Sequence, residues 1–198
     1  GKKRLVADPL ASVVAALVEG CIVALKGLGG YHLACDATNE AAVARLRRKK
    51  AREHKPLALM VVDLAAARAL ARIAAAEATQ LTSSRRPIVL LDALPGAVAP
   101  SVTPDPGRLG IMLAYTPLHH LVCAAVGRPL VMTSGNQQDE PMVFRDAEVF
   151  ARLGGIAELF LLHNRPIAAR ADDSVAQVQG GRPQVLRRAR GWVPEPIR

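Results

Sequence analysis

Two patterns of apolar and polar positions alternate along the chain. Short runs rich in Val, Ile and Leu are typical of buried strands, and Ala-rich amphipathic stretches are typical of helices. Strands are predicted near 22–25, 57–62, 87–91, 110–113, 130–133, 159–162, 175–179 and 184–188, and helices near 10–19, 40–48, 64–81, 118–126 and 146–153. The alternation favours an α/β fold with helices flanking a twisted sheet. Because only strands are predicted after Pro166, the sheet should be mixed.

Capping residues indicate where several helices begin. Asn39 and Asp63 are good N-caps, and Thr116-Pro117 is typical of an N-cap followed by proline at the first helical position. The Ala-rich segment after Asp63 is expected to break near Ile73. Residues 94–108 carry four prolines and are predicted to be without regular structure, which is typical of either a functional flap or a mobile linker.

Length and composition limit the kind of protein. The 198 residues fit a single domain, 1–198, and the opening Gly1-Lys2-Lys3-Arg4 shows no signal peptide, so we expect a piece of a longer protein. No apolar run is long enough to span a bilayer, which predicts a soluble protein. The three cysteines lie far apart without a C-x-x-C spacing. This favours a reducing cytoplasm over a disulfide framework or a zinc site, and no metal-ligating residues are predicted.

The formal net charge of +9 indicates that the partners are anionic, either nucleotides or nucleic acid. Only 3% of residues are aromatic, so single-stranded bases would find few rings on which to stack. The composition therefore predicts recognition of phosphate rather than of bases.

A basic run ends the second predicted helix. If the chain is already extended from Lys50 to Arg52, both side chains project from one side and two cations face the same point. Alternatively, the cluster from Arg47 to Arg52 complements the C-terminal end of the helix and stays solvated. The spacing alone leaves both interpretations open.

A second candidate group follows a predicted strand at its carboxyl end, where open α/β sheets bind ligands. Thr133, Ser134 and Asn136 supply hydroxyl and amide groups, and Gly135 would let backbone amides approach an anion. The string T-S-G-N is also a common turn sequence.

Other motifs are weaker. The loop from Lys26 to Gly30 matches neither familiar nucleotide fingerprint. Arg170 could bind phosphate and Asp172-Asp173-Ser174 could place carboxylates near magnesium, although an ordinary charged turn explains them equally well. His119 and His120 are adjacent on a helix and cannot chelate one metal, so they are interpreted as helix-end or site-lining residues.

Taken together, six ordered strings resemble a known family. They are K-G-L-G-G-Y-H-L-A-C-D-A (26–37), K-x-R with H-K-P-L-A-L-M (50–60), Y-T-P-L-H-H (115–120), P-L-V-M-T-S-G-N (129–136), D-D-S-V (172–175) and L-R-R-A-R-G-W-V-P (186–194). The chain resembles, over nearly its whole length, the YrdC-like domain of the HypF hydrogenase-maturation carbamoyltransferases. The K-x-R and S-x-N pairs are also similar to those of the wider YrdC family, which includes threonylcarbamoyl-adenylate synthases of tRNA modification.

The resemblance implies a twisted mixed sheet with a concave basic face that binds ATP with Mg²⁺. It implies that carbamate, released from carbamoyl phosphate by another domain, condenses with ATP, and that a further domain passes the carbamoyl group to the thiol of a maturation partner. Lys50 and Arg52 would contact the triphosphate and carbamate, Ser134 and Asn136 phosphate oxygens, and Arg188 or Arg190 a second phosphate. The residues expected to line the site are Lys26, Tyr115, Thr116, Thr133, His119, Arg170 and Ser174.

One departure concerns the family pattern S-G-N-L-S-G-E-P, where this chain has Gln137-Gln138-Asp139 after Asn136. The missing serine and glycine would change the turn geometry. Two alternative functions remain open. The first is synthesis of threonylcarbamoyl adenylate from threonine and bicarbonate. The second is non-catalytic binding of double-stranded RNA through phosphate contacts, which need no aromatic residues.

Overall fold

The computed structural model describes residues 7–52, 55–105, 107–137 and 140–196. The α-helices of this part of the chain are Pro9–Val18 (α1), Glu40–Lys50 (α2), Leu64–Arg68 (α3), Ala75–Thr82 (α4), Pro117–Val126 (α5) and Asp146–Leu153 (α6). Its strands are Val23–Lys26 (β1), Tyr31–Asp36 (β2), Leu59–Val61 (β3), Ala71–Arg72 (β4), Ile88–Ala93 (β5), Arg108–Leu113 (β6), Leu130–Ser134 (β7), Leu159–Leu161 (β8), Val175–Gln179 (β9) and Arg182–Arg187 (β10).

The strands form one sheet in the order β10-β9-β5-β6-β3-β7-β2-β1-β8, with β4 paired to β5. The pairs β3/β6, β5/β9 and β1/β8 are parallel, and the other neighbours are antiparallel. The predicted α/β class and mixed sheet are therefore confirmed. Strands β9 and β10 are the two strands expected after Pro166.

Capping explains where the helices begin. The side chains of Asn39, Asp63 and Thr116 each accept a hydrogen bond from a backbone amide of the first turn, as predicted. The Ala-rich segment breaks where expected, because β4 separates α3 from α4. Helix α5 ends at Gly127, whose φ of 66° is the left-handed conformation that glycine adopts without strain.

Two apolar clusters lie on opposite faces of the sheet. One packs α2, α3, α4 and α6 against the strands and contains Leu33, Leu59 and Ile111. The other packs α1 and α5 and contains Leu25, Met60 and Met132. The sheet is thus covered on both faces, which explains why its central strands are buried throughout. No helix among the described residues is long and apolar enough to cross a membrane.

The elements assigned from the sequence need two corrections. Residues 31–36, to which no element was assigned, form the fully buried strand β2. The proline-rich stretch 94–108 is only partly irregular, because it contains a 3₁₀ helix at Pro100–Val102 and its last residue begins β6. It packs on the core instead of extending as a free flap or linker. Val102 is fully buried, and its carbonyl accepts the amide of Leu57 at 2.9 Å.

Candidate functional site

Lys50, the last residue of α2, reaches the end of β7. Its Nζ donates to the carbonyl oxygens of Ser134 and Asn136, each at 2.6 Å, and to the side-chain oxygen of Asn136. The segment from Lys50 to Arg52 is not extended, so strand alternation does not set the direction of the two side chains. The helix continues through Lys50, and Ala51 is left-handed with a φ of 51°. This helix end, and not strand alternation, directs both cations toward β7.

Arg52 lies beside the same strand end. Its Nη1 is 3.4 Å from the hydroxyl of Thr133, and its Nη2 donates to the carbonyl of Pro56 at 2.9 Å. Its Nε is buried without a hydrogen-bond partner. Burial first, and then the nearby cations Arg47 and Arg187, lower the pKa of Arg52. Arg187, at the end of β10, was not among the predicted residues.

Five residues, Lys50, Arg52, Thr133, Ser134 and Asn136, are called the Lys50 site below. Burial and the charge of Arg52 lower the pKa of Lys50 to about 7. None of the hydrogen bonds or ion pairs between described residues joins Lys50 or Arg52 to a carboxylate. Clustered cations attract anions, and charged acceptors bind them more strongly than neutral ones.

The turn after β7 holds the polar groups of the site. The hydroxyl of Ser134 donates to Oδ1 of Asn136 at 2.8 Å, and Nδ2 of Asn136 donates to the carbonyl of Glu140 at 2.5 Å. Gly135 does not offer its amide to an anion, because that amide donates to the carbonyl of Tyr31 at 2.6 Å. A Cβ on Gly135 would lie 2.6 Å from the same carbonyl oxygen, so glycine permits close packing on β2.

A second polar group, the Asp173 cluster, consists of His32, Tyr115, His119, Asp173 and Arg190. Asp173 accepts Nε2 of His32 at 3.0 Å and Nε of Arg190 at 2.8 Å. The guanidinium of Arg190 lies 3.6 Å from the centre of the Tyr115 ring, which contacts the ring of His119 edge-on. His32 is paired with Ser134 in the β2/β7 register, so the cluster adjoins the Lys50 site.

The electrostatics of the Asp173 cluster differ from those of the Lys50 site. Burial acts to raise the pKa of Asp173, but the hydrogen bond from His32 and the charge of Arg190 hold it well below its usual range. Burial lowers the pKa of His119 to about 3, and both of its ring nitrogens are buried without a hydrogen-bond partner. The cluster thus combines a neutral imidazole with a charge-compensated ion pair.

Four other predicted residues bond to partners outside the Lys50 site. Lys26 is buried and donates to Asp146 at 2.7 Å. The hydroxyl of Thr116 caps α5, and the buried hydroxyl of Ser174 donates to the carbonyl of Arg190 at 2.9 Å. Arg188 donates to the carbonyl oxygens of Trp192 and Glu195.

Arg170 is exposed. Gln138 and Asp139, where the chain departs from the family pattern, lie outside the described residues.

The two carboxylates expected near magnesium differ in their surroundings. Asp173 is engaged by His32 and Arg190, and Asp172 is an exposed single carboxylate. Within the described ranges, no group of three or more His, Cys, Asp or Glu side chains could hold a metal ion. Mg²⁺ commonly uses one or two carboxylates together with substrate phosphates, so Asp172 and not Asp173 would fit that role.

The model of the Sua5/YciO/YrdC family, described as telomere recombination, matches residues 15–189. A carbamoyltransferase HypF of Rhizobium leguminosarum bv. viciae is 47% identical over 196 residues, which cover 96% of this chain and 26% of the relative. A threonylcarbamoyl-AMP synthase of Chromohalobacter salexigens is 33% identical over 151 residues, which cover 75% of this chain and 82% of the relative.

Solved structures agree with these relatives. Full-length HypF in its phosphate- and nucleotide-bound form superposes with a TM-score of 0.92 at 44% identity, covering 95% of this chain and 30% of that one. P. abyssi Sua5 complexed with L-threonine gives a TM-score of 0.82 at 19% identity, covering 94% and 56%, which supports the fold alone. The chain spans about a quarter of the length of the carbamoyltransferases it matches.

Proposed function

Because the chain belongs to the Sua5/YciO/YrdC family, we propose that it binds ATP and joins carbamate to the AMP moiety, which releases pyrophosphate. One observation carries the proposal. The side chains of Lys50 and Arg52 converge on the turn after β7, and neither is bonded to a described carboxylate. Ser134 and Asn136 are half-buried there, so the turn opens to solvent. A triphosphate would supply the missing negative charge.

The reaction brings two anions, carbamate and ATP, into contact. A carbamate oxygen attacks the α-phosphorus of ATP, a new oxygen–phosphorus bond forms, and the bond to the β-phosphate oxygen breaks with its electron pair leaving on pyrophosphate. Lys50 and Arg52 offset the repulsion and stabilise the charge that builds on the phosphate oxygens. The hydroxyl of Ser134 and the amide of Asn136 hold phosphate oxygens in place. No covalent intermediate with the protein is needed.

Binding exchanges hydrogen-bond partners at Lys50. Its three N–H donors are taken by neutral oxygens of Ser134 and Asn136. A phosphate oxygen is a stronger acceptor than a carbonyl or amide oxygen, because donor and acceptor then both carry charge. We therefore expect phosphate to displace at least one of these oxygens and to keep Lys50 protonated.

The surrounding pathway is also part of the proposal. The HypF relatives are about four times as long as this chain, and they support a role for residues 1–198 as one domain of a hydrogenase-maturation carbamoyltransferase. Other domains would then release carbamate from carbamoyl phosphate and pass the carbamoyl group to a partner thiol. Mg²⁺ would arrive with the triphosphate, and RNA binding and a cytoplasmic location stay predictions.

The test is ATP–pyrophosphate exchange by the 198-residue chain with ammonium carbamate as acyl donor. Exchange should depend on carbamate and fall at least about tenfold in Lys50→Ala, because a charge-assisted hydrogen bond contributes roughly 1.5–3 kcal/mol. Lys49→Ala is the matched control, since Lys49 is paired with Glu158 at 2.8 Å instead. Undiminished exchange in Lys50→Ala would exclude this site.

A second candidate function keeps the site and changes the acyl substrate. The threonylcarbamoyl-AMP synthase relative is covered over 82% of its length by this chain, so a whole enzyme of that kind is about this size. Threonine with bicarbonate in place of carbamate would then support exchange. Stimulation by threonine favours the second candidate, and stimulation by carbamate alone favours the first.

A further inference from the structure

Arg47, three residues before the end of α2, has a side chain that reaches two other segments of the chain. Its Nη1 donates to the carbonyl oxygens of Arg52 at 2.8 Å and of Lys55 at 3.1 Å. Its Nη2 donates to the carbonyl of Val102 at 3.0 Å, and its Nε donates to that of Ser101. All three nitrogens of this guanidinium therefore bond to the backbone of the protein itself.

The backbone of Arg52 is bonded to Arg47 on both sides. The amide of Arg52 donates to the carbonyl of Arg47 at 3.0 Å, and the amide of Ala51 donates to the carbonyl of Arg48 at 3.1 Å. Because Ala51 is left-handed, these two bonds form the Schellman motif that ends many helices. The carbonyl of Arg52 accepts Nη1 of Arg47. The main chain of Arg47 thus fixes one peptide group of Arg52, and its side chain fixes the other.

The proline-rich stretch 94–108 holds the guanidinium of Arg47 in place. Ser101 and Val102 belong to its 3₁₀ helix. The amide and the hydroxyl of Ser101 both donate to the carboxylate of Glu40 in the first turn of α2. Val102 is fully buried, and its carbonyl also accepts the amide of Leu57. The stretch is therefore a fixed support to which Arg47 connects Arg52.

The side chain of Arg52 has few bonds of its own. Its Nη2 donates to the carbonyl of Pro56, its Nη1 lies 3.4 Å from the hydroxyl of Thr133, and its Nε has no hydrogen-bond partner among the described residues. A binding group that is not fixed in the free protein must be ordered when the ligand binds, which weakens affinity. Support of the Arg52 backbone reduces that cost.

We propose that Arg47 is a positioning residue, and that its side chain holds the backbone of Arg52 so that the Arg52 guanidinium lies beside the turn after β7. This inference rests on the proposed function, because it concerns the affinity of the Lys50 site for a triphosphate. Lysine should not replace Arg47. The planar guanidinium bonds four carbonyls here, whereas an ammonium group is a compact charge with only three donors.

A double-mutant cycle tests this role, with the affinity of the 198-residue chain for a non-hydrolysable ATP analogue measured by calorimetry. Arg52→Ala should weaken binding about tenfold or more, as expected for loss of one charge-assisted contact. Arg47→Lys should weaken it by a comparable factor, although Arg47 does not touch the ligand. The double variant should bind about as weakly as Arg52→Ala alone, because the backbone position of residue 52 no longer matters once its side chain is removed.

Two control variants lie in the same helix. Arg48→Lys makes the same exchange at the exposed neighbour of Arg47 and should leave affinity within about twofold of wild type. Glu40→Ala removes the bonds from Ser101 to α2 but leaves Arg47 with its carbonyl acceptors. It should lower the free energy of unfolding and again change affinity by less than about twofold.

Ala51→Gly separates the stiffness of the helix end from the bonds of Arg47. It should fold, because glycine adopts the left-handed conformation without strain. If Arg47 holds Arg52, this variant should bind the analogue as tightly as wild type, with the same stoichiometry.

Multiplicative losses in the cycle, or full affinity in Arg47→Lys, would overturn the positioning role. A loss in Glu40→Ala or Ala51→Gly as large as that in Arg47→Lys would also overturn it, since loosening of the segment would then explain the effect. An Arg47→Lys chain that does not fold would show that Arg47 serves folding instead. If the wild-type chain binds no ATP analogue, the proposed function itself fails.

Discussion

Two lysines of this protein are buried to nearly the same extent, with 1% of Lys26 and 2% of Lys50 exposed, yet their surroundings differ. Lys26 donates to the carboxylate of Asp146 at 2.7 Å and to the carbonyl of His163 at 3.0 Å. Among the described residues, Lys50 donates to carbonyl and amide oxygens of Ser134 and Asn136 and to no carboxylate. Burial alone therefore does not distinguish the two lysines, whereas the charge of their described partners does.

The hydrogen-bond partners of each lysine determine what it contributes to stability and to anion binding. A buried charge is costly unless it is paired, and the pair of Lys26 with Asp146 ties β1 to α6. Burial of the Lys50 charge stays unfavourable, because the neutral oxygens of Ser134 and Asn136 satisfy its hydrogen bonds but do not balance its charge. Burial and the charge of Arg52 lower its pKa to about 7. We infer that the Lys26 region serves stability and that the Lys50 site gives up stability in exchange for anion binding.

The sharpest test replaces each lysine by methionine, which keeps the length of the side chain and removes its charge. Lys50→Met should weaken binding of an ATP analogue about 10- to 150-fold, the equivalent of roughly 1.5–3 kcal/mol. Its free energy of unfolding should be unchanged or higher, because an unpaired buried cation is lost. Calorimetry and urea denaturation measure the two quantities.

Lys26→Met should show the opposite pair of results. Its free energy of unfolding should fall by about 1–2 kcal/mol, a modest loss because half of the Asp146 side chain is exposed and solvent screens the pair. Affinity for the analogue should stay within about twofold of wild type, within the usual effect of a change that leaves the site intact. Equal losses of affinity in both variants would show that the two lysines do not differ in nucleotide binding.

A carboxylate can be introduced at the Lys50 site to make it resemble the Lys26 region. Asn136→Asp places a carboxylate oxygen where Lys50 already donates to Oδ1. The new negative charge should pair with Lys50 and repel phosphate, so affinity for the ATP analogue should fall about tenfold, as for loss of one charge-assisted contact. Asn136→Ser is the uncharged control. A loss as large in the serine variant would assign the effect to the amide and not to the charge.

The sequence indicates the Lys50 site more clearly than the partner of Lys26. Lys50, Arg52, Ser134 and Asn136 lie at the ends of predicted elements, where side chains meet at a sheet edge, and the structure does bring them together. Lys26 also follows a strand, and nothing local distinguishes it from Lys50. Its partner Asp146 lies 120 residues away in the chain, a distance that no motif spans.

The arginines near the end of the chain show the same limit. Residues 182–190 contain four of them, Arg182, Arg187, Arg188 and Arg190, and spacing does not say what each one contacts. Arg190 was expected to contact phosphate, but it is paired with Asp173 in the loop before β9, 17 residues earlier in the chain. Strand β2 was missed because His32 and Asp36 interrupt its apolar run, although Tyr31, Leu33 and Cys35 do alternate toward one face.

The smallest predicted effect is a dependence on pH that only one of the two lysines should confer. The pKa of Lys50 is about 7 in the folded protein, and that of an unfolded lysine is about 10.4. Between these values the unfolded chain binds more protons, so this residue makes the free energy of unfolding rise with pH.

Bound triphosphate requires protonated Lys50, so affinity should fall about fivefold from pH 7 to pH 8. Both trends should disappear in Lys50→Met and persist in Lys26→Met, when measured between pH 7 and 8, below the ordinary pKa values of thiols and tyrosines. If Lys50→Met keeps the wild-type pH profile of affinity, another group carries the proton and the unpaired charge of Lys50 is not what binds the nucleotide.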